Sequence, residues 1–346
     1  MPAVLPGSST VLVTGVSGFT GIWIARALLE AGYNVHGTVR SASKAQYLKD
    51  LFKPHGDKFK SVIIEDTSKP RAFEAAVNDE ITAVVHVAAV VHFASAEDKS
   101  TVLGPNTDSV LDLMQTILTH GPNVKRFVFM SSAQALLGKP LTHIYTEDDW
   151  NDGAVAEVEE KGSQASGQAL YAASKVLSER AILSFTKQHE GKIGWDATSL
   201  LPVWIFGPII HECKSLDNLN LSSKILNGFL TTELEATKLN DYASEYIDVR
   251  DVADAFVAAL KTEEAGGERF ILDAGSFTNQ NLYDAVYSTD PTISGVPRGD
   301  PAAPKFNLPG PFCSPEKAKR VLKLKEFRSL GECAVDSLKS FRERGF

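Results

Sequence analysis

Tyr171 and Lys175 stand four residues apart in YAASK, a spacing that sets both side chains on one face of a helix. A phenol ionises at about pH 10 and is a poor acid or base near neutrality. A lysine ammonium beside it stabilises the phenolate and draws that value down. Such a pair moves a proton to or from an oxygen. Tyr-x-x-x-Lys also arises by chance on amphipathic helices, so the pair needs company. FVFMSS supplies it: Ser131 and Ser132 end a strand-like run, and open α/β sheets bind their ligands at the carboxyl ends of strands. One hydroxyl there can hold a carbonyl oxygen beside the Tyr171 phenol.

A second constellation lies near the start of the chain. TGVSGFTG spaces Gly15, Gly18 and Gly21 three apart. Gly15 suits a tight turn, Gly18 an approach of backbone to a pyrophosphate, and Gly21 close packing of helix on strand. Phe19 and Thr20 open the following helix, whose free amides and dipole favour an anion. A dinucleotide loop that prefers NAD carries an acid about 20 residues further on. Arg40 occupies that place, with Lys44 one helical turn beyond. Two cations suit a 2′-phosphate, so NADPH is the expected cofactor. Asp66 and Thr67 close the third strand, where they can face the adenine.

Elements must position these residues. TVLVT at Thr10–Thr14 reads as a buried strand, and the next stretch takes helical period until Gly32 caps it. NVHGTVR, SVIIE, AVVHVAA, Lys125–Ser132 and Trp195–Val203 read as further strands, with helices at Arg71–Asn78, Val102–His120 and Gln168–Gln188. The expected fold class is α/β: a Rossmann-type, doubly wound parallel sheet with a smaller, mixed C-terminal lobe. Beyond Pro202 the pattern decays into short helices at Ser222–Leu226 and Val252–Lys261 and a strand at Glu268–Leu272. Pro291 to Pro315 holds seven of sixteen prolines and reads as extended. A helix near Pro315–Leu322 and an amphipathic tail follow. The expected division is 1–203 for the cofactor and the catalytic Ser, Tyr and Lys, and 204–346 mainly for the substrate, with some segments returning to the first sheet.

Composition bounds the partners. The 346 residues carry 43 acidic against 35 basic groups, a formal charge of −8, which disfavours nucleic acid and anionic membrane. Seven of those acids lie in Glu147–Glu160 without one base, so the acidity belongs to one segment, read as a charged loop or flap over a cleft. The first 25 residues lack charge, but 12 of them are Gly, Pro, Ser or Thr, and a secretory signal needs a positive start. A cytoplasmic protein without a membrane segment is expected. Three widely spaced cysteines and no H-x-x-x-H among eight histidines argue against a disulfide framework and for no metal site.

The ordered set TGVSGFTG, Arg40/Lys44, HVAA, FVFMSS, YAASK, PVWIFGP and YIDVRDVA resembles the extended short-chain dehydrogenase/reductases. Within them it is similar to the dihydroflavonol and cinnamoyl-CoA reductase branch, nearest the fungal NADPH-dependent carbonyl reductases. The resemblance implies reduction of an aldehyde or ketone to an alcohol, with Tyr171 as proton donor, Lys175 at the nicotinamide ribose and Ser132 as the catalytic serine. It also implies that Val87 and Ala88 border the cofactor and that Pro202 and Val203 flank the nicotinamide. Val90, Phe93, Ala133 and Trp204 are expected to line an apolar pocket for a small carbonyl substrate. A monomer or homodimer is expected. The rival readings are a nucleotide-sugar epimerase or dehydratase with retained NAD, against which Arg40 speaks, and a non-catalytic NADP(H) sensor, which has no use for the proton relay.

Overall fold

Every residue of β1 (Thr10–Thr14) is buried, because the strand has a parallel partner on each side, β2 (Asn34–Val39) and β4 (Ile81–His86). The computed structural model describes residues 3–89, 103–138, 142–241, 243–300, 302 and 312–346. Beyond β2 lies β3 (Phe59–Ile63), and beyond β4 come β5 (Arg126–Met130) and β6 (Asp196–Pro202). After β7 (Trp204–Phe206) and β8 (Ser244–Asp248), the chain returns with β9 (Arg269–Leu272) beside β6. The order is β3-β2-β1-β4-β5-β6-β9, seven strands, all parallel.

Alternation along the strands divides the core into two faces. Val11 and Val13 join one apolar cluster and Leu12 another. The first cluster includes α1 (Phe19–Glu30) packed on α7 (Val249–Lys261), and α2 (Ala42–Leu51) at its margin. The second lies under α3 (Leu103–His120), which packs along α5 (Gly167–Gln188). The expected α/β class therefore holds, and a smaller sheet stands towards the C-terminus. There β10 (Gly275–Phe277) pairs antiparallel with β8, which pairs parallel with β7. Its core of Phe206, Tyr246, Phe277 and Leu338 is closed by α6 (Leu221–Thr231), α8 (Asn279–Thr289) and α10 (Leu330–Arg342).

Two elements differ from expectation. Residues 71–78 form a run of turns, not a helix. Pro70 precedes them, Arg71 takes a left-handed φ of 64°, and its N–H is held by Asp112 Oδ1 at 2.7 Å. The apolar spacing that mimics a helix there is real, since Phe73, Ala76 and Val77 are all buried, but it serves a single bend. The acidic segment is only half loop: α4 (Asp152–Lys161) occupies its second part, capped by Asn151, whose side chain accepts from Ala154 N–H at 3.0 Å. A short helix, α9 (Glu316–Leu322), matches the expected one after the proline-rich stretch.

Candidate functional site

The chain turns from β1 towards β2, and later crosses to the other side of β1 to form β4, so the carboxyl ends of β1 and β4 border a topological switch point. The glycine loop sits there. Gly15 has φ +65°, and a side chain on it would come within 3.0 Å of the Ala88 Cα. A Cβ on Gly21 would lie 2.3 Å from the Gly15 carbonyl oxygen, so helix and strand require glycine at that point. Gly18 is different. Its φ is −82°, and a Cβ there would meet only Gly15 O, at an ordinary 3.4 Å. Nothing among the described residues demands glycine at 18. Gly18 caps α1 without any side-chain hydrogen bond, and the first turn, Phe19 and Thr20 included, holds no acid. Free amides at such a helix start can take an anion.

Thr14, which sequence reasoning passed over, ties the loop to β4. Its hydroxyl accepts the N–H groups of Val87 at 3.0 Å and Ala88 at 3.1 Å, and it lies 2.9 Å from His86 Nδ1. With both lone pairs used, the hydroxyl proton goes to Nδ1. Burial, and next the charge of Lys175, push the His86 imidazole down to about 3, so it is neutral. The two residues expected beside the cofactor therefore do border the glycine loop. Gly15 N–H in turn donates to Thr38 Oγ1 at 3.2 Å.

Arg40 follows β2, is exposed, and has no ion pair among the described residues. Lys44 is less free: its Nζ lies 2.8 Å from Glu212 Oε2, a carboxylate that sequence reasoning did not consider. Asp66 is exposed and accepts from Ser68 N–H at 2.9 Å and from the Ser68 hydroxyl at 2.6 Å. Those bonds, with lesser help from Lys69 and Arg40, hold its pKa below the usual carboxylate value. Thr67 lies between these two, in the same turn.

The residues expected to transfer a proton lie around the carboxyl end of β5. Ser131 and Ser132 follow that strand and part company: Ser131 Oγ donates to Glu179 Oε1 at 2.6 Å, while Ser132 hydrogen-bonds the Tyr171 side chain. Lys175 is buried and donates through Nζ to the Met130 carbonyl at 3.0 Å, with the Phe129 ring centroid 5.1 Å below. Its Nζ stands 5.9 Å from the Tyr171 ring centroid. Burial depresses Lys175 to about 8, and the Glu179 charge works against that. Tyr171 moves opposite to the sequence expectation. Burial raises its pKa, the Ser132 hydrogen bond offsetting only part. The phenol is thus kept protonated, the state from which a proton can be given. Pro202 ends β6 next door, and Val203 N–H donates to the Leu272 carbonyl at 3.2 Å.

Of the four expected pocket residues, two lie among the described residues. Val90 and Phe93 lie outside the described residues. Ala133 is buried in an apolar cluster with Leu136, Tyr145 and Leu201, and Trp204 is half-buried against the core of the small sheet. A polar hollow of about 480 Å3 lies elsewhere, at the amino ends of β1, β2 and β4, among Ser8, Asn34, His36 and Glu80. Open parallel sheets bind at the other edge. Among the described residues, Glu245, Asp273 and Cys313 are buried with ligand atoms all within 4.8 Å of one another. Burial, then the Glu245 carboxylate, push Asp273 up to about 9. Two carboxylates this close disfavour each other's charge, which adds to burial in moving Asp273 upward. No described helix is long and apolar enough to cross a membrane.

The sequence profile of the NAD dependent epimerase/dehydratase family matches residues 11–275. A ketoreductase of Aspergillus niger is 31% identical over 345 residues, covering 96% of this chain and 98% of that protein. An NADPH-dependent methylglyoxal reductase of Saccharomyces cerevisiae is 29% identical over 340 residues, covering 95% and 96%. Among solved structures, yeast methylglyoxal/isovaleraldehyde reductase complexed with NADPH superposes with a TM-score of 0.83 at 29% identity, over 97% of this chain and 99% of that one.

Proposed function

The chain belongs to the NAD dependent epimerase/dehydratase family of extended short-chain dehydrogenase/reductases, and we propose that it is an NADPH-dependent carbonyl reductase, converting an aldehyde or ketone to an alcohol. One observation carries the reading: Tyr171 and a buried Lys175 share one face of α5, with Lys175 fixed to the Met130 carbonyl at the carboxyl end of β5, the edge where parallel sheets bind ligands. Similar proteins at about 30% identity are NADPH-dependent methylglyoxal reductases and ketoreductases.

The residues divide the work. Amides of Gly18, Phe19, Thr20 and Gly21 hold the diphosphate, and Gly15 forms the turn beneath it. Arg40 and Lys44 take the 2′-phosphate, Asp66 and Thr67 the adenine. Val87, Ala88, Pro202 and Val203 flank the redox end. Bound NADPH supplies the hydride. Ser132 holds the carbonyl oxygen, Tyr171 gives it the phenolic proton, and the Lys175 ammonium stabilises the phenolate left behind until solvent reprotonates it. Val90, Phe93, Ala133 and Trp204 are proposed to border the substrate.

The test is a panel of aldehydes and ketones read by loss of NADPH absorbance, with NADH as control. NADPH should disappear only when a carbonyl compound is added, and the protein as purified should release no tightly held NAD. Silence across a broad panel would leave a binding protein; released NAD would favour an epimerase.

A further inference from the structure

A buried carboxylate stands one helical turn beyond Lys175. Glu179 is 1% exposed, and Tyr171, Lys175 and Glu179 recur every fourth residue along one stripe of α5. Such a group is stable as an anion only when paired and hydrogen-bonded. Here it is both. Glu179 Oε1 accepts from Ser131 Oγ at 2.6 Å, and Arg269 Nε donates to Oε2 at 2.8 Å. Arg269 reaches in from β9, with its guanidinium 3.8 Å over the Trp150 ring and Nη1 donating to the Asp149 carbonyl at 2.9 Å. The carboxylate therefore cannot rotate away from its place beneath the catalytic pair.

We propose that Glu179 is a positioning residue for the reaction: fixed by Ser131 and Arg269, its charge holds Lys175 as the ammonium beside Tyr171. This rests on the reading of Tyr171 and Lys175 as the catalytic pair. Among the described residues, few groups act on Lys175. From its own helix come Tyr171 and Glu179; from β4 comes His86, neutral by burial; β5 offers only the Met130 carbonyl and the Phe129 ring. Arg269 touches Glu179, while Lys175 spends a hydrogen bond on the Met130 carbonyl. Burial favours neutral lysine, and Glu179 is the one carboxylate among these groups that opposes it. Without that charge Lys175 gives up its proton at a lower pH. The phenolate formed on Tyr171 then has no counter-charge, and turnover falls as pH rises.

The experiment is the pH profile of kcat/KM for NADPH-dependent reduction by Glu179→Gln, compared with the parent. The alkaline limb should move down by about one pH unit, so that the deficit grows with pH, and Glu179→Asp should restore part of it. Because the glutamine leaves Arg269 without its anion, unfolding must be followed alongside. If the single variant does not fold, Glu179→Gln with Arg269→Gln removes both charges and reads the same limb. A folded variant whose activity drops by one factor at every pH, or whose limb does not move, overturns the proposal. Tyr171→Phe separates the two levels: if it keeps turnover, the catalytic reading fails; if it loses turnover while the Glu179→Gln limb stays put, only the role of Glu179 fails.

Discussion

Tyr171→Phe removes one oxygen from a half-buried side chain and leaves the glycine loop untouched. Turnover of any carbonyl substrate should fall by at least about 100-fold, the usual worth of a positioned proton donor, while NADPH binding measured by fluorescence stays within a few-fold of the parent. The two cations proposed for the 2′-phosphate are not equal, although the sequence treats them alike. Lys44 already has Glu212 at 2.8 Å, whereas Arg40 is exposed and without an ion pair among the described residues. Arg40→Asp should therefore raise KM for NADPH more than Lys44→Ala. A charged hydrogen bond worth about 1.5–3 kcal/mol translates to roughly 10- to 100-fold. If Lys44→Ala does the greater damage, the 2′-phosphate lies on the other side of the pair. Spacing marked Tyr171 and Lys175 as candidates and a strand end marked Ser131 and Ser132; only the family resemblance singled out Ser132. None of these found Glu179, because that residue acquires its meaning from Ser131, 48 positions away, and Arg269, 90 positions away. The one local signal was an acid continuing the every-fourth-residue stripe.

At the scale of the element, the β1–α1 turn makes separable demands on its glycines. Gly18→Ala places a methyl group where the chain has room, at a φ any residue adopts. Its unfolding free energy should change by less than about 1 kcal/mol, the cost of alanine at a helix cap, while NADPH affinity is lost. Gly21→Ala drives a Cβ to within 2.3 Å of a backbone oxygen and should destabilise the fold itself, by about 1–3 kcal/mol or more. Denaturant titration and NADPH titration of both variants check the distinction; equal destabilisation would mean that Gly18 serves packing, not a ligand. The same turn was legible in sequence because strand, glycines and helix are contiguous. Residues 71–78 were not, since one buried bend carries the apolar spacing of two helical turns. The small sheet also escaped notice. β7 and β10 have three residues each, too few for alternation to register, and their pairing with β8 is set by chain that lies far away in sequence.

For the molecule as a whole, the two sheets meet at a pair of buried acids. Asp273 follows β9 of the large sheet, Glu245 belongs to β8 of the small one, and Cys313 comes back after the proline-rich stretch to donate its N–H to Glu245 Oε1 at 3.0 Å. Asp273, pushed up to about 9 by burial and by Glu245, holds in the folded state a proton that the unfolded chain has released above about pH 4. The folded state then binds more protons, so stability falls as pH rises, by at most about 1.4 kcal/mol per unit for one group. Other groups shape the rest of the curve. His86 and His211, lowered by burial to about 3 and about 4, make stability rise with pH until their unfolded value near 6.5 is passed. Lys175, lowered to about 8, has the same sign above that pH. Between roughly pH 6.5 and 8 the Asp273 proton is left to dominate. Denaturant unfolding of the parent should therefore weaken steadily across that window. Asp273→Asn, which keeps a donor for Glu245 without the ionisation, should flatten the slope and leave the variant at least as stable as the parent at the upper end. A parent slope that is flat or positive there would mean that both acids are ionised when folded.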